Sequence, residues 1–282
     1  MRIMFIGGDA RMRYAAEKLS ENHETVLFDG AEHPNGAFDA IVFPLPLTKD
    51  GKTVFAPQDQ SPISFDMLFE TFREFADEHT LVLAGGETPV LTEFCAKLGC
   101  RLINYFAREA LTLQNAALTA EAALCLLSQS GDGALLGSSA LVAGSGRIAF
   151  FLADRLRACG SKVTFAARNR DKREQARLSG FEAISLEELP DALPRFDYIA
   201  NTIPAPLFGE TLFAKMRRTA VYQELASLPE QPQRSFAERF GIKYIYAGGL
   251  PGKYSPKAAG EFIAQSAEEL LTSELSGDRN DR

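Results

Sequence analysis

Two segments of this chain share one pattern, a short apolar run followed by a glycine turn and a helix. The first segment, at 3–19, contains IGGDAR, and the second, at 141–156, reads LVAGSGRIAFFLADRL. A strand, a glycine turn and a helix open each half of the doubly wound α/β folds, in which parallel strands are covered by helices on both faces. The repeated pattern predicts two Rossmann-like domains with a cleft between them.

The rest of the chain alternates apolar runs with helix-period segments, as such domains require. We expect an N-terminal substrate domain at 1–115 and a nucleotide-binding domain at 116–282, joined by an Ala/Leu-rich interdomain helix at 113–130, with a last helix at 256–276 that packs back on the first domain. The predicted strands are 2–6, 25–27, 40–43, 81–84, 101–104, 140–143, 162–166, 198–201, 219–223 and 243–246. The other predicted helices are 11–20, 65–76, 89–97, 147–158, 170–179, 186–189 and 236–240.

Composition excludes several classes of protein. The net charge of −7 argues against a nucleic-acid binder that neutralises phosphates. No apolar run is predicted to reach the length of a membrane span, and no signal pattern precedes the first strand, so we expect a cytoplasmic protein. The histidines have no metal-ligand spacing, so no metal site is predicted, and the cysteines are expected to be buried free thiols: His23, His33, His79, Cys95, Cys100, Cys125 and Cys159.

The second glycine turn fits G-x-G-x-x-[G/A], the dinucleotide fingerprint. Gly144 would form the tight turn, Gly146 would let a pyrophosphate approach the backbone, and Ala149 would let helix and strand pack closely. The free N–H groups and the dipole at the helix start would then favour the anion. The predicted cofactor residues of this turn are Gly144, Ser145, Gly146, Arg147 and Ile148.

The end of the next strand, AARNRDK at 166–172, lacks the acidic residue that holds the ribose 2′-hydroxyl of NAD. Arg168 offers a planar donor set for a 2′-phosphate, with Asn169 and Arg170 beside it, so we predict NADP(H). The alternative is that this stretch is only a solvated helix start. Asn201, Thr202 and Pro204 follow another strand and are expected to face the cofactor, or else to form an ordinary turn.

The first glycine turn lacks the fingerprint spacing. Asp9 suits a helix cap but is a poor neighbour for a pyrophosphate, so we predict no dinucleotide there. Asp9 and Arg11 are candidate substrate contacts, Arg11 for a substrate carboxylate; the alternative is that Asp9 only caps the helix and Arg11 lies on the surface. Asn115 on the interdomain helix and the glycine-proline loop that contains Gly249, Leu250 and Pro251 are further substrate candidates; hinge hydrogen bonding and a plain lead-in to the last helix are the alternatives.

Five stretches together resemble the A chains of bacterial dipicolinate synthase: IGGDAR, YFAREALTLQNAALTAEAAL at 105–124, VAGSGRIA with AAR, NTIP at 201–204, and GGLPGKYSPKAAG at 248–260. The resemblance implies a fold similar to D-2-hydroxyacid dehydrogenases. It also implies NADP-dependent oxidation of dihydrodipicolinate, a cyclic dicarboxylate, to dipicolinate in spore formation. A flavoprotein-like B chain is implied as partner, and a homo-oligomer is possible.

Two other functions remain open at the level of sequence. A D-2-hydroxyacid dehydrogenase acting on another substrate would need a histidine and an acid late in the chain, yet every histidine precedes residue 80. A non-catalytic NADP-binding subunit would need neither. The catalytic residues are not predicted.

Overall fold

The structure, a computed structural model, describes residues 1–30, 35–57, 61–73, 76–131, 133–227 and 232–277, without the side chains of 274–277. His33, one of the histidines considered above, lies outside the described residues. The chain divides into two compact units, Met1–Asn115 with Ser255–Arg282, and Ala116–Tyr254. The cleft between two domains stays a prediction.

The first unit is a five-stranded parallel sheet in the order β2-β1-β3-β4-β5, the flavodoxin-like variant of the doubly wound fold. Its elements are β1 (Arg2–Ile6), α1 (Ala10–Leu19), β2 (Glu24–Phe28), β3 (Ala40–Val42), α2 (Phe65–Phe72), β4 (Leu81–Ala84), α3 (Pro89–Leu98), β5 (Arg101–Asn104), the start of α4 (Glu109–Ser130) and α11 (Pro256–Gly277).

Both faces of this sheet are buried, because helices cover each of them. Ile3 and Phe5 of β1 point into one apolar core with α1 and α11, and Met4 and Ile6 point into the other. The terminal helix α11 lies against α1 so closely that a Cβ on Gly260 would collide with the Arg11 carbonyl oxygen. Glycine at 260 therefore permits the packing of these two helices.

The second unit is a six-stranded parallel sheet in the order β11-β10-β9-β6-β7-β8, which is the Rossmann order 3-2-1-4-5-6 read from the other edge. Successive strands are added toward one edge of the sheet from β6 and toward the other edge from β9. Ligands of this fold bind at the point between β6 and β9 where this change occurs. Its elements are β6 (Ser139–Ala143), α5 (Arg147–Ala158), β7 (Lys162–Ala166), α6 (Arg170–Leu178), β8 (Glu182–Ile184), α7 (Leu189–Ala192), β9 (Tyr198–Asn201), α8 (Glu210–Phe213), β10 (Val221–Glu224), α9 (Gln233–Phe240), β11 (Lys243–Tyr246) and α10 (Leu250–Tyr254).

Several elements differ from the sequence predictions. The edge strand β8 and the short helices α8 and α10 were not predicted, since three to five residues carry too little periodicity. The prediction of four buried cysteines was wrong for Cys125 and Cys159, which are exposed, and Cys100 is half-buried. Burial raises the pKa of the Cys95 thiol to about 12.

Helix α4 is longer than predicted. By length and composition, it is the one helix among the described residues that is long and apolar enough to cross a membrane. This corrects the expectation that no segment reaches that length. In the structure, 39% of its most apolar window is buried inside the protein. Ala120, Ala123 and Leu127 on this helix belong to the core of the second unit. Its apolar composition therefore has an explanation in packing.

Candidate functional site

The loop between β6 and α5 has the shape that the fingerprint predicts. Gly144 takes a φ of +121°, a conformation that glycine adopts without strain. A Cβ at this position would also collide with Thr202 Oγ1, which bonds to the Ala143 carbonyl oxygen at 2.9 Å. Ala149 is fully buried between α5 and the sheet. Gly144 and Ala149 are thus required by the fold itself.

Gly146 has no such structural requirement. Its φ of −85° and ψ of −176° are open to any residue, and a Cβ there would meet nothing within 4 Å. Gly146 is the N-cap of α5, and no side chain accepts a hydrogen bond from the first turn of this helix at the cap. The helix therefore begins with backbone donors and positive dipole facing an open space.

That open space is a cavity of about 600 Å³ at the carboxyl ends of β6, β7 and β9. The predicted cofactor residues that line it are Gly144, Ser145, Gly146, Arg168, Asn169, Thr202 and Pro204. The predicted residues outside its lining are Arg147, Ile148, Arg170 and Asn201. The loop 203–207, which continues from Thr202, forms an apolar wall.

The loop after β7 is held by an arginine that the sequence analysis did not identify. Arg173 Nη1 donates to the carbonyl oxygens of Ala167 and Arg168, at 2.8 and 2.7 Å. Asn169 caps α6 by accepting from the Lys172 amide at 3.1 Å. Arg168 and Arg170 are exposed. Asn169 is therefore a helix cap, and Arg168 is the cation at the rim of the cavity.

Asn201 differs from its prediction, because its side chain is fully buried and turned away from the cavity. Its Nδ2 donates to both oxygens of Glu224, at 2.9 and 3.1 Å. Glu224 also accepts from Tyr222 Oη at 2.7 Å and from the Ala226 amide at 3.0 Å. Burial raises the pKa of Glu224, and burial together with this carboxylate raises the pKa of Tyr222. Glu224 was missed because the predicted strand ended at residue 223, which placed this acid in the following turn.

Another cavity of the second unit, about 430 Å³, lies at the opposite edge, where β7 and β8 begin. Two of the three cations that line it already have carboxylate partners: Arg157 contacts Asp154 at 2.6 Å, and Arg195 contacts Glu182 at 3.2 Å. Ligands of doubly wound sheets bind at the carboxyl ends of the strands, so this cavity is not the candidate site.

The glycine turn of the first unit is filled by its own chain. The amide of Gly7 donates to the Phe28 carbonyl oxygen at 3.1 Å, and that of Gly8 donates to the Phe55 carbonyl oxygen at 2.6 Å. A Cβ on Gly8 would collide with Met12. The place where a phosphate would meet backbone donors is therefore taken by the loop around Phe55.

Asp9 and Arg11 form a bidentate ion pair beside this turn. Asp9 caps α1, and its two carboxylate oxygens accept from Arg11 Nε and Nη2 at 2.8 and 2.9 Å. The Arg11 guanidinium also donates to the Leu45 carbonyl oxygen. Arg11 is buried, and the cavity beside it, which Asn115 also lines, measures about 10 Å³. This differs from the prediction of a cation open to a substrate carboxylate, since the space holds about one water molecule.

The glycine-proline loop also differs from its prediction. Gly249 is exposed with a φ of +67°, but Leu250 and Pro251 begin α10, where proline suits the first turn. Both side chains are buried, and Leu250 belongs to the core of the second unit. Of the three substrate candidates in this loop, only Gly249 is accessible.

A histidine–carboxylate pair does exist in the first unit. His23 Nε2 lies 2.7 Å from Glu268 Oε2 of α11. His23 follows α1 and immediately precedes β2, so it lies where the strands begin, away from their carboxyl ends. Its position therefore gives it a role in packing. Within the described ranges, no group of three or more metal-ligating side chains occurs.

Known proteins resemble this chain along nearly its whole length. Residues 2–106 match the family described as the N-terminal domain of the A subunit of dipicolinate synthase. The chain is 27% identical to the A subunit of dipicolinate synthase from Bacillus subtilis (strain 168) over 290 residues, 96% of each protein. The crystal structure of the dipicolinate synthase A chain from Bacillus subtilis superposes with a TM-score of 0.83, at 26% identity, over 98% of this chain and 97% of that one.

The crystal structure of the dipicolinate synthase A chain from Bacillus halodurans has a TM-score of 0.81, at 26% identity, and covers 96% of this chain and 97% of its own. An L-alanine dehydrogenase shares the fold, with a TM-score of 0.65 at 14% identity over 98% of this chain and 91% of its own. The two parallel-sheet units are therefore those of a Rossmann-like dehydrogenase fold. The resemblance of this chain to the A chains of dipicolinate synthase is confirmed.

Proposed function

We propose that the second unit binds NADP(H) and that the chain is an NADP-dependent oxidoreductase, the A chain of a dipicolinate synthase. The observation that carries this proposal is Gly146. It lies at an uncapped helix start on a cavity of about 600 Å³, in a conformation that does not need glycine. Close approach of a pyrophosphate to the backbone explains why a side chain is absent there.

The residues of the cavity suit the parts of a dinucleotide. The first turn of α5 would bind the pyrophosphate, and Arg168 would bind the 2′-phosphate that distinguishes NADP from NAD. Thr202 and Pro204 would form the wall on the other side. When bound, NADP accepts a hydride from the substrate.

The proposed substrate is dihydrodipicolinate, which becomes the aromatic dipicolinate by loss of one hydride and one proton. The resemblance to dipicolinate synthase A chains supports this choice. Because the product is aromatic, the proton does not require a strong base. Asn115 and Gly249 stay proposals as substrate contacts, and so does Arg11, whose pairing with Asp9 is unfavourable to that role.

A second candidate, a non-catalytic NADP-binding subunit, is favoured by one observation. Arg168 is the one charged side chain among the residues that line the cavity, so the lining offers no group that accepts a proton. The relatives are themselves named as one subunit of a synthase, which supports a partner chain, and we propose a flavoprotein-like B chain. A cytoplasmic location, and self-association of the chain, are proposed with it.

The first test is binding of NADPH and NADH to the purified chain, followed by fluorescence. We expect NADPH to bind more tightly; equal or weaker binding of NADPH would contradict the cofactor assignment. The second test supplies NADP and freshly prepared dihydrodipicolinate, with and without the B chain. Dipicolinate formed by the chain alone supports the oxidoreductase, and formation only with both chains supports the non-catalytic role.

Failure of turnover in both mixtures, with NADPH still bound, would overturn the substrate assignment and leave the nucleotide site intact. Failure of NADPH to bind would overturn both.

A further inference from the structure

We propose that Glu224 is a positioning residue of the candidate nucleotide site. Through Asn201, Glu224 holds in place the loop that forms the apolar wall of the cavity. The proposal rests on the proposed function for the identity of the ligand. The support that Glu224 and Asn201 give to this loop is called bracing below. It involves only residues of this chain and is testable without any nucleotide.

Asn201 joins the carboxylate to the loop. Its Nδ2 donates to Glu224, and its Oδ1 accepts from the Ile203 amide at 3.1 Å. Ile203 is part of the cavity wall, and its carbonyl oxygen accepts from the Ala205 amide at 2.8 Å. The carboxylate therefore sets the rotamer of Asn201, and Asn201 sets the turn that starts the wall.

Glu224 also holds the end of its own strand. Its Oε1 accepts from the Ala226 amide at 3.0 Å, and the Leu225 amide donates to the Asn201 carbonyl oxygen at 2.9 Å. One side chain thus ties together two neighbouring loops at the carboxyl edge of the sheet. That edge is where the ligand of a doubly wound fold lies.

Stability alone does not account for an acid at this place. Glu224 is fully buried, each donor to it is a neutral group, and no cation pairs with it among the ion pairs of the described residues. Burial accordingly raises its pKa. Apolar residues in place of Glu224 and its side-chain partners Asn201 and Tyr222 would fill the space without this desolvation cost. What the carboxyl group adds is the orientation of the Asn201 side chain and of the Ala226 amide.

The variants that separate bracing from packing lie on the same strand. Glu224→Ala removes the acceptor, and Glu224→Gln keeps an acceptor for Asn201 and Ala226 while its amide donates to Tyr222 Oη. Gln223→Leu is the matched control, because Gln223 is equally buried but points to the other face, where it donates to the Ala123 carbonyl oxygen at 3.1 Å.

The test is hydrogen exchange of the backbone amides of Thr202, Ile203, Ala205 and Leu207, the non-proline residues of 202–207, in the protein without nucleotide, followed by mass spectrometry, together with the Kd for NADPH. In Glu224→Ala we expect exchange at 202–207 and the Kd each to rise by about tenfold or more. Glu224→Gln should restore both, and Gln223→Leu should leave both unchanged even where it lowers the unfolding temperature.

Unchanged exchange at 202–207 in Glu224→Ala would overturn the proposal, and so would an equal increase in Gln223→Leu. A raised exchange with an unchanged Kd would overturn the positioning of the nucleotide site. If Glu224→Ala does not fold, Asn201→Ala removes the same connection between Glu224 and the loop, and it must raise the exchange at 202–207. If the native chain binds no NADPH, the proposed function fails while the exchange measurement still decides the bracing.

Discussion

Two glycines of one loop should respond to alanine in opposite ways. Gly144→Ala introduces a residue with a Cβ at a φ of +121°, which costs about 1–3 kcal/mol. The new Cβ also displaces Thr202 Oγ1 from the Ala143 carbonyl oxygen, which costs about 1 kcal/mol more. The sum, about 2–4 kcal/mol, corresponds to a loss of roughly 10 °C in the unfolding temperature of a unit of this size.

Gly146→Ala should lower the free energy of unfolding by no more than about 1 kcal/mol, because its Cβ meets nothing, its φ of −85° is allowed, and the remaining cost is that of alanine for glycine at an N-cap. The methyl group would instead occupy the approach of the pyrophosphate. A misfit of one methyl group costs about 1–3 kcal/mol, which raises the Kd for NADPH by roughly 5- to 150-fold.

The assay is thermal unfolding by circular dichroism together with a fluorescence titration of NADPH, on both variants and the native chain. Native affinity in Gly146→Ala would refute the reasoning that this glycine exists for a ligand. Native stability in Gly144→Ala would refute the account of the turn itself.

Three further perturbations address the rim, the first unit and the buried acid. Arg168→Ala should raise the Kd for NADPH by about 10- to 100-fold and leave that for NADH unchanged, as measured by the same titration, because only NADPH offers a 2′-phosphate. Arg11→Met should lower the free energy of unfolding of the first unit by about 1–3 kcal/mol in a urea titration, since it leaves the half-buried Asp9 carboxylate without its partner; an altered Kd for NADPH would contradict an effect confined to the first unit. Because the pKa of Glu224 is raised in the folded chain, Glu224 keeps its proton to a higher pH there than in the unfolded chain. The free energy of unfolding should therefore fall as the pH rises from the usual glutamate pKa through the raised one. Glu224→Gln should remove that part of the fall, as measured by urea midpoints across the acidic range.

The fingerprint loop was predictable because the residue at each of its positions is determined by local spacing and backbone geometry. Spacing alone identified the turn at Gly144 and the close packing at Ala149, and the missing acid after β7 drew attention to Arg168. The central strands β1 and β6 were equally accessible to sequence reasoning, since their residues are apolar on both faces and are bounded by turns, whereas the short edge strand β8 was missed.

The residues that were missed depend on contacts between distant parts of the chain. Nothing near Gly8 indicates that Phe55 will supply an acceptor to its amide, and nothing near Arg11 shows that the Leu45 carbonyl oxygen will accept from its guanidinium. Asn201 and Glu224 are 23 residues apart and meet only because β9 and β10 are neighbours in the sheet. Such pairings follow from topology and register, which a single sequence specifies only weakly.

The filled glycine turn of the first unit has a consequence for stoichiometry. Because the Phe55 carbonyl oxygen already satisfies the Gly8 amide, a titration should end at one nucleotide per chain, although the chain contains two strand–glycine–helix openings. Mass action then acts on one unit alone: NADPH at 100 times its Kd would stabilise the second unit by about 2.7 kcal/mol. The intrinsic free energy of unfolding of the first unit would stay as it is. In a thermal scan, NADPH should accordingly move the unfolding transition of the second unit to a higher temperature and leave that of the first unit where it is.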